Sequence, residues 1–230
     1  MKLQYLGDAR DAFKWDILHW ICTESSPSFD KLVFVPMLTP DGEMPNEGNI
    51  HHSRFECREF IRPFLIALRK EPRSLDRICK LDSATPHFQT TIFAKDRHIE
   101  NGNQRQEYWQ GFESEAYENT LVFFDPDNGF ETETRKGTKW IRHEELKQCL
   151  SKLPVTSAIV IYQHRPRRTW QDLFADLTEN LDYAHTAVAA YESDLAFVAM
   201  AGNEEAGNRI HKSIKDYADL HLDVCCKKLK

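Results

Sequence analysis

The chain has 230 residues, of which 41% are hydrophobic and 29% are charged, and its formal net charge is −6 at pH 7. This length suits one α/β domain of ordinary size and is short for two. The negative net charge argues against a nonspecific nucleic-acid binder. It is compatible with a local basic face, because net charge averages over the whole surface. The six cysteines show no CxxC pair, the start lacks the apolar core of a signal peptide, and no apolar run approaches membrane-spanning length. We therefore expect a reduced, cytoplasmic protein without a membrane partner.

Apolar periodicity and turn residues predict helices and strands that alternate along the chain. Helices are predicted at residues 11–23, about 53–70, 74–79, around 108–112, 144–153, 169–181 and from 203 onward. Strands are predicted at residues 31–36, 87–94, 121–125, 158–163, 185–191 and 195–200, the last two as an antiparallel pair at the sheet edge. Pro63 should kink or break the second helix, and the basic tail 225–230 should be frayed. This order favours a single α/β domain over residues 1–230, with a mainly parallel sheet, helices on both faces, and a helical or loop insertion at about 37–86.

The central feature of the sequence is a strongly apolar strand that runs into the polar turn D-P-D-N-G at residues 125–129. Because proline cannot donate a ladder hydrogen bond and Asp, Asn and Gly favour turns, the strand should stop at Asp125. Ligands of open α/β sheets bind beyond the carboxyl ends of the strands, where Asp125, Asp127 and Asn128 would project. The alternative interpretation is a plain turn that closes the strand.

Two further polar groups stand at predicted strand ends or helix starts, one at residues 7–14 and one at residues 163–168. If the sheet is parallel, the last group shares one edge with the turn after the apolar strand, so a single cleft could bind a polar or phosphorylated substrate. The alternatives are a charged first helical turn and a solvated lead-in to the next helix. The candidate binding residues are Asp8, Arg10, Asp11, Glu131, Lys136, Gln163, His164, Arg165 and Arg168.

The run G-D-x-x-D-x-x-K at residues 7–14 resembles the G-N-x-x-D-x-x-K element of a family of adenine-N6 methyltransferases that act on large-subunit ribosomal RNA. The run D-P-D-N at residues 125–128 resembles the D-P-P-Y signature of the same family. The resemblance implies a Rossmann-like fold, S-adenosylmethionine as cofactor, and RNA or DNA as partner. It also implies that Asp125 and Asn128 orient the acceptor amine and that Lys14 completes the pocket. The catalytic candidates are Lys14, Asp125, Asp127 and Asn128.

The chain differs from the family pattern at two places. The family has an acidic, glycine-rich turn after its first strand, whereas this chain has P-M-L-T-P-D-G at residues 36–42, with a single glycine. The aromatic residue that ends the D-P-P-Y signature is replaced by Asn128, whose side chain has no π-face to stack on a base.

A different class of function fits the same residues. Asp125, Asp127 and Glu131 supply the hard oxygen ligands of Mg²⁺, and Lys14 or Lys136 supplies a cation for developing charge. This inventory is typical of a magnesium-dependent nuclease or phosphohydrolase. A third hypothesis is a methyltransferase-like module that binds a partner or nucleic acid without catalysis.

Overall fold

The computed structural model of the protein describes residues 1–41, 57–84, 88–112, 117–165 and 167–230. Several sequence predictions lie partly outside these residues: the insertion 37–86 with its loop 37–48, the start of the helix 53–70, the start of the strand 87–94 and the polar group 163–168.

The observed helices are α1 (Ala9–Thr23), α2 (Ile61–Arg69), α3 (Gly102–Gln110), α4 (His143–Lys152), α5 (Trp170–Asn180) and α6 (Glu204–Leu220). The observed strands are β1 (Lys31–Val35), β2 (Gln89–Ile92), β3 (Thr120–Phe124), β4 (Gly129–Phe130), β5 (Trp140–Ile141), β6 (Ala158–His164), β7 (Thr186–Tyr191), β8 (Leu195–Ala201) and β9 (Cys225–Lys228). Short 3₁₀ helices span Leu3–Tyr5 and Leu75–Ala84.

A seven-stranded sheet with the order β2-β1-β3-β6-β8-β7-β9 organises these elements. Strands β2, β1, β3 and β6 are parallel neighbours, whereas β8 pairs antiparallel with both β6 and β7. The predicted α/β class, with a mainly parallel sheet and an antiparallel pair toward one edge, is confirmed. The carboxyl ends of β3 and β6 lie side by side, which brings the segments after them to one edge of the sheet.

Successive strand residues point to opposite faces of the sheet, and helices cover both faces. Leu32 and Phe34 of β1 join one core cluster with α1, α2 and α6, whereas Val33 and Val35 join the other cluster with α3, α4 and α5. All five residues of β3 are buried, as expected for a strand covered on both faces. In the described residues, no helix is long and apolar enough to cross a membrane.

Two local predictions need correction. The second helix begins only at Ile61, so Pro63 lies in its first turn, where a backbone N–H has no intrahelical acceptor and its loss costs little. The tail is not frayed: Cys225–Lys228 forms β9 and pairs antiparallel with β7. This pairing satisfies the outer edge of β7, and the lysines of β9 discourage further strand addition at that edge. The segment 37–86 includes α2 and a 3₁₀ helix, and it connects the neighbouring parallel strands β1 and β2.

Candidate functional site

A cavity of about 230 Å³ opens beyond the carboxyl ends of β3 and β6, beside the start of α1. All four catalytic candidates line it: Lys14, Asp125, Asp127 and Asn128. The same wall includes four of the binding candidates: Asp8, Arg10, Asp11 and His164. The structure therefore brings together residues from all three polar groups that are distant in the sequence.

The other binding candidates do not line this cavity. The carboxylate of Glu131 accepts a hydrogen bond from the backbone N–H of His143 at 3.2 Å, and Lys136 is exposed in the loop before β5. The guanidinium of Arg165 lies 3.8 Å from Asp194, and that of Arg168 pairs with Asp176 of α5. Gln163 is buried behind the turn that follows β3.

Lys14 is the electrostatic centre of the cavity. Its Nζ lies 2.6 Å from Asp11 Oδ1 and 2.8 Å from Asp125 Oδ2, and the exposed fractions of Lys14 and Asp125 are only 5% and 2%. Burial alone would lower the pKa of Lys14, but the two carboxylates outweigh it and raise that pKa. Burial also raises the pKa of Asp125, and Lys14 opposes this rise. The lysine therefore compensates two carboxylates that could not otherwise be buried as anions.

The start of α1 is fixed by acidic side chains and by Gly7. Asp8 caps the helix by accepting from the N–H of Arg10 at 2.9 Å, and Asp11 Oδ2 accepts from the N–H of Gly7 at 2.7 Å. Gly7 has φ of +79°, and a Cβ there would lie 2.8 Å from the backbone nitrogen of Arg69 in α2. Burial, together with the neighbouring Asp11, raises the pKa of Asp8 to about 7. Protonation of Asp8 is therefore easier than protonation of an exposed aspartate.

Gln163 holds the turn after β3 against the end of β6. Its Oε1 accepts from the N–H of Phe130 at 2.9 Å, and its Nε2 donates to the carbonyl of Asn128 at 3.1 Å. Gly129 has φ of +110°, and a Cβ there would clash with Oε1 of Gln163. Because glycine has no Cβ, it permits this approach, and Gln163 positions the turn without lining the cavity.

Lys139 and Tyr162 are among the cavity residues that the sequence did not single out. The side chain of Lys139 is 48% exposed, and its Nζ lies 3.7 Å from Asp127 Oδ2. Its backbone carbonyl accepts from the N–H of Asn128 at 2.9 Å, which ties the loop before β5 to the turn. Tyr162 lies within the apolar run of β6, where we expected only core residues. A basic residue of the loop before β5 was predicted to belong to the site, but the residue named was Lys136 rather than Lys139.

A buried ion pair supports the loop that carries Lys139. The guanidinium of Arg105 pairs with both carboxylate oxygens of Glu145 at 2.5 Å, and it donates to the carbonyl of Trp140 at 2.7 Å. The indole N–H of Trp109 donates to the same carboxylate at 2.8 Å. Fork-shaped pairing of this kind fixes geometry as well as charge. No sequence pattern predicts this ion pair, because its partners lie on two different helices, α3 and α4.

The structure does not assemble the magnesium site of the second hypothesis. Glu131 contacts His143 rather than the cavity, Asp125 is paired with Lys14, and Asp127 lies near Lys139. Across the described part of the chain, no three His, Cys, Asp or Glu residues are arranged to hold a metal ion.

The segment after β1 does not match the cofactor turn that the resemblance implies. The N–H of Met37 donates to the hydroxyl of Tyr108 at 3.2 Å, and the carbonyls of Met37 and Asp125 accept from the backbone nitrogen of Met1 at 2.8 and 3.0 Å. The N–H of Thr39 donates to the carbonyl of Met1 at 2.9 Å. These bonds occupy the N–H groups of Met37 and Thr39 and the carbonyl of Met37, so these groups are already paired within the protein. The described residues after β1 therefore do not fit S-adenosylmethionine in the family's usual manner.

No protein-family model and no curated protein matches the chain. Among solved structures, a Legionella pneumophila protein of the family DUF519 aligns with 96% of this chain and 97% of its own, at 10% identity and a TM-score of 0.43. An rRNA methylase from Streptococcus thermophilus aligns with 84% of this chain and 96% of its own, at 14% identity and a TM-score of 0.34. Similarity at this level supports no conclusion about activity.

Proposed function

We propose that the cavity binds an amine-bearing base of a nucleic acid and that the protein is a divergent relative of the adenine-N6 methyltransferases. The supporting observation is the pair of contacts made by Lys14. This lysine belongs to the first motif of the resemblance, and it joins Asp11 of that motif to Asp125 of the second. Two sequence motifs separated by more than a hundred residues thus share one buried charge network at one cavity.

The polar groups of the cavity suit an amine donor. Asp125 uses Oδ2 for Lys14, and a carboxylate has acceptor capacity beyond one such bond. An exocyclic amine can therefore donate to Asp125, while the side-chain amide of Asn128 offers both a donor and an acceptor nearby. Lys14 favours the anionic form of Asp125, which is the form that accepts most strongly.

The rim of the cavity suits a phosphate backbone. Lys139 and Arg10 both line the cavity, with side chains that are 48% and 26% exposed. These cations can reach a phosphate while the base enters toward Asp125, although the chain as a whole carries a net charge of −6. RNA or DNA is therefore the partner class that we propose.

S-adenosylmethionine supplies the methyl group in the family that the chain resembles. Because the segment after β1 does not fit it, we assign no transfer step to this chain. The same observation favours a second candidate function, in which the module binds nucleic acid without catalysis. Titration of S-adenosylmethionine by calorimetry separates the two candidates: saturable heat supports the methyltransferase, and its absence supports the binding module.

Base binding itself is tested by calorimetric titration of adenosine monophosphate. We expect saturable binding to the unmodified protein and a loss of about 10- to 100-fold in Asp125→Asn, because hydrogen bonds to charged groups contribute ~1.5–3 kcal/mol. The matched control is Asp96→Asn, an exposed aspartate outside the cavity, which should bind as the unmodified protein does. No binding to the unmodified protein, or equal affinity in Asp125→Asn, would reject the proposal.

A further inference from the structure

Tyr162 is a cavity residue to which the sequence motifs give no role. In the parallel pairing of β3 with β6, Phe124 lies opposite Ile161, so Asp125 and Tyr162 are the next residues along the two strands. The Nζ of Lys14 lies 5.7 Å from the centre of the Tyr162 ring and 2.8 Å from Asp125 Oδ2. The tyrosine and the aspartate therefore flank the same buried ammonium group.

The hydroxyl of Tyr162 stands among charged groups but is not bonded to any of them. The ring packs against Phe197 at 6.0 Å between centroids, and the residue lines the cavity and is 7% exposed. The charges that act on the phenol are those of Arg10, Lys14, Asp125 and Asp8, all of which line the same cavity. Within the described residues, the hydroxyl has no hydrogen-bond partner. Buried tyrosine hydroxyls usually have one, so this group is available to a ligand.

The hydroxyl also remains a donor under physiological conditions, because burial raises the pKa of Tyr162. Next to it, Asp125 can only accept while it is ionised. A donor beside an acceptor is complementary to a base edge that places a ring nitrogen beside an exocyclic amine. Adenine and cytosine present this edge, whereas bases with a carbonyl beside a ring N–H present the reverse pattern.

We propose that Tyr162 is a base-binding residue that donates its hydroxyl hydrogen to the ring nitrogen beside the amine held by Asp125. This inference rests on the proposed function, since it assigns the second contact of the same base. It also gives the cavity an aromatic residue that the D-P-D-N turn itself lacks. The substrate class that follows is a nucleotide with the amine-and-ring-nitrogen edge of adenine or cytosine.

The test compares Tyr162→Phe with the unmodified protein in calorimetric titrations of adenosine monophosphate and inosine monophosphate. The substitution removes only the hydroxyl. We expect affinity for adenosine monophosphate to fall about 3- to 10-fold, the range of a neutral hydrogen bond. Affinity for inosine monophosphate, which carries the reverse pattern, should change less. The ratio of the affinity for adenosine monophosphate to that for inosine monophosphate should therefore decrease. A change in discrimination is a readout that a purely structural role of Tyr162 would not produce.

Tyr191→Phe is the matched control, because Tyr191 packs against Trp170 and Phe174 and does not line the cavity. It should leave both affinities unchanged. If Asp125→Asn weakens adenosine monophosphate binding while Tyr162→Phe leaves affinity and discrimination unchanged, the role of Tyr162 is refuted and base binding stands. If the unmodified protein binds neither nucleotide, both proposals are refuted.

Discussion

Replacing Lys14 by methionine is the most direct test of the buried charge network. The change keeps the length of the side chain but leaves Asp11 and Asp125 without their shared cation. At an effective dielectric constant of about 20, each contact of 2.6 or 2.8 Å attracts with about 6 kcal/mol. The cost of burying the ions offsets much of this attraction, and removal of one partner from a buried pair typically costs about 3–5 kcal/mol. We expect the free energy of unfolding at pH 7 to fall by about that amount.

The assay is urea denaturation followed by tryptophan fluorescence, at pH 7 and at pH 5. An acid whose pKa is higher in the folded protein contributes stability that is present at low pH and lost as pH rises through the folded pKa. Burial already raises the pKa of Asp125, and Lys14→Met removes the lysine that opposes the rise. The loss of unfolding free energy that Lys14→Met causes should therefore be smaller at pH 5 than at pH 7. Adding Asp125→Asn should recover part of the stability at pH 7, because it removes a stranded charge.

Lys139→Met is the matched control, since it removes a lysine from the same cavity whose side chain is half exposed and whose Nζ lies 3.7 Å from its partner. Exposed pairs contribute about 0–1 kcal/mol, so this variant should be nearly as stable as the unmodified protein. If Lys14→Met loses no more stability than Lys139→Met, the reasoning about the buried network is wrong.

Three further predictions concern single groups around the cavity. Asp8→Asn keeps a good helix cap and removes an acid whose pKa rises from 3.8 to about 7 on folding. The free energy of unfolding of Asp8→Asn relative to that of the unmodified protein should therefore increase by about 2–4 kcal/mol between pH 4 and pH 8. Denaturation curves at several pH values check this, and parallel pH profiles would contradict it. Lys139→Ser should reduce the magnitude of the slope of log affinity against log salt by about 0.7 for a single-stranded RNA, because one phosphate contact is lost. Fluorescence anisotropy measures this slope, and an unchanged slope would place Lys139 outside the interface. Gly129→Ala should lower the free energy of unfolding by ~1–3 kcal/mol, because a non-glycine residue is strained at φ of +110° and its Cβ meets Gln163. An unchanged melting temperature would show that the turn accommodates the Cβ without loss of stability.

Six strands of the main sheet, β1, β2, β3, β6, β7 and β8, were predictable because burial leaves a local trace in the sequence. Four consecutive apolar residues before Asp125 are enough to indicate a strand covered on both faces, and the structure confirms it. The rule that ligands bind beyond the carboxyl ends of parallel strands then placed Asp125 and His164 at one edge. Such features depend on the chemistry of neighbouring residues or on a general property of the fold.

Features that depend on distant partners were not predictable. The tail 225–230 reads as polar and basic, and only its pairing with β7 makes it a strand. Tyr162 reads as core because its neighbours in β6 are apolar, and its role at the cavity depends on the register of β6 against β3. Gln163 reads as a binding residue because it stands at a strand end. Its true location follows from the close approach of Gly129, a contact between different strand ends.

The hydrogen bonds of Gln163 have a mechanical consequence for ligand entry. Its Nε2 and the N–H of His164 both donate to the carbonyl of Asn128, and its Oε1 accepts from the N–H of Phe130, so the turn and the end of β6 cannot separate without breaking these bonds. A guest molecule therefore meets an opening whose shape is already set. A site edge that is already held in place loses less free energy in ordering the protein when a ligand binds.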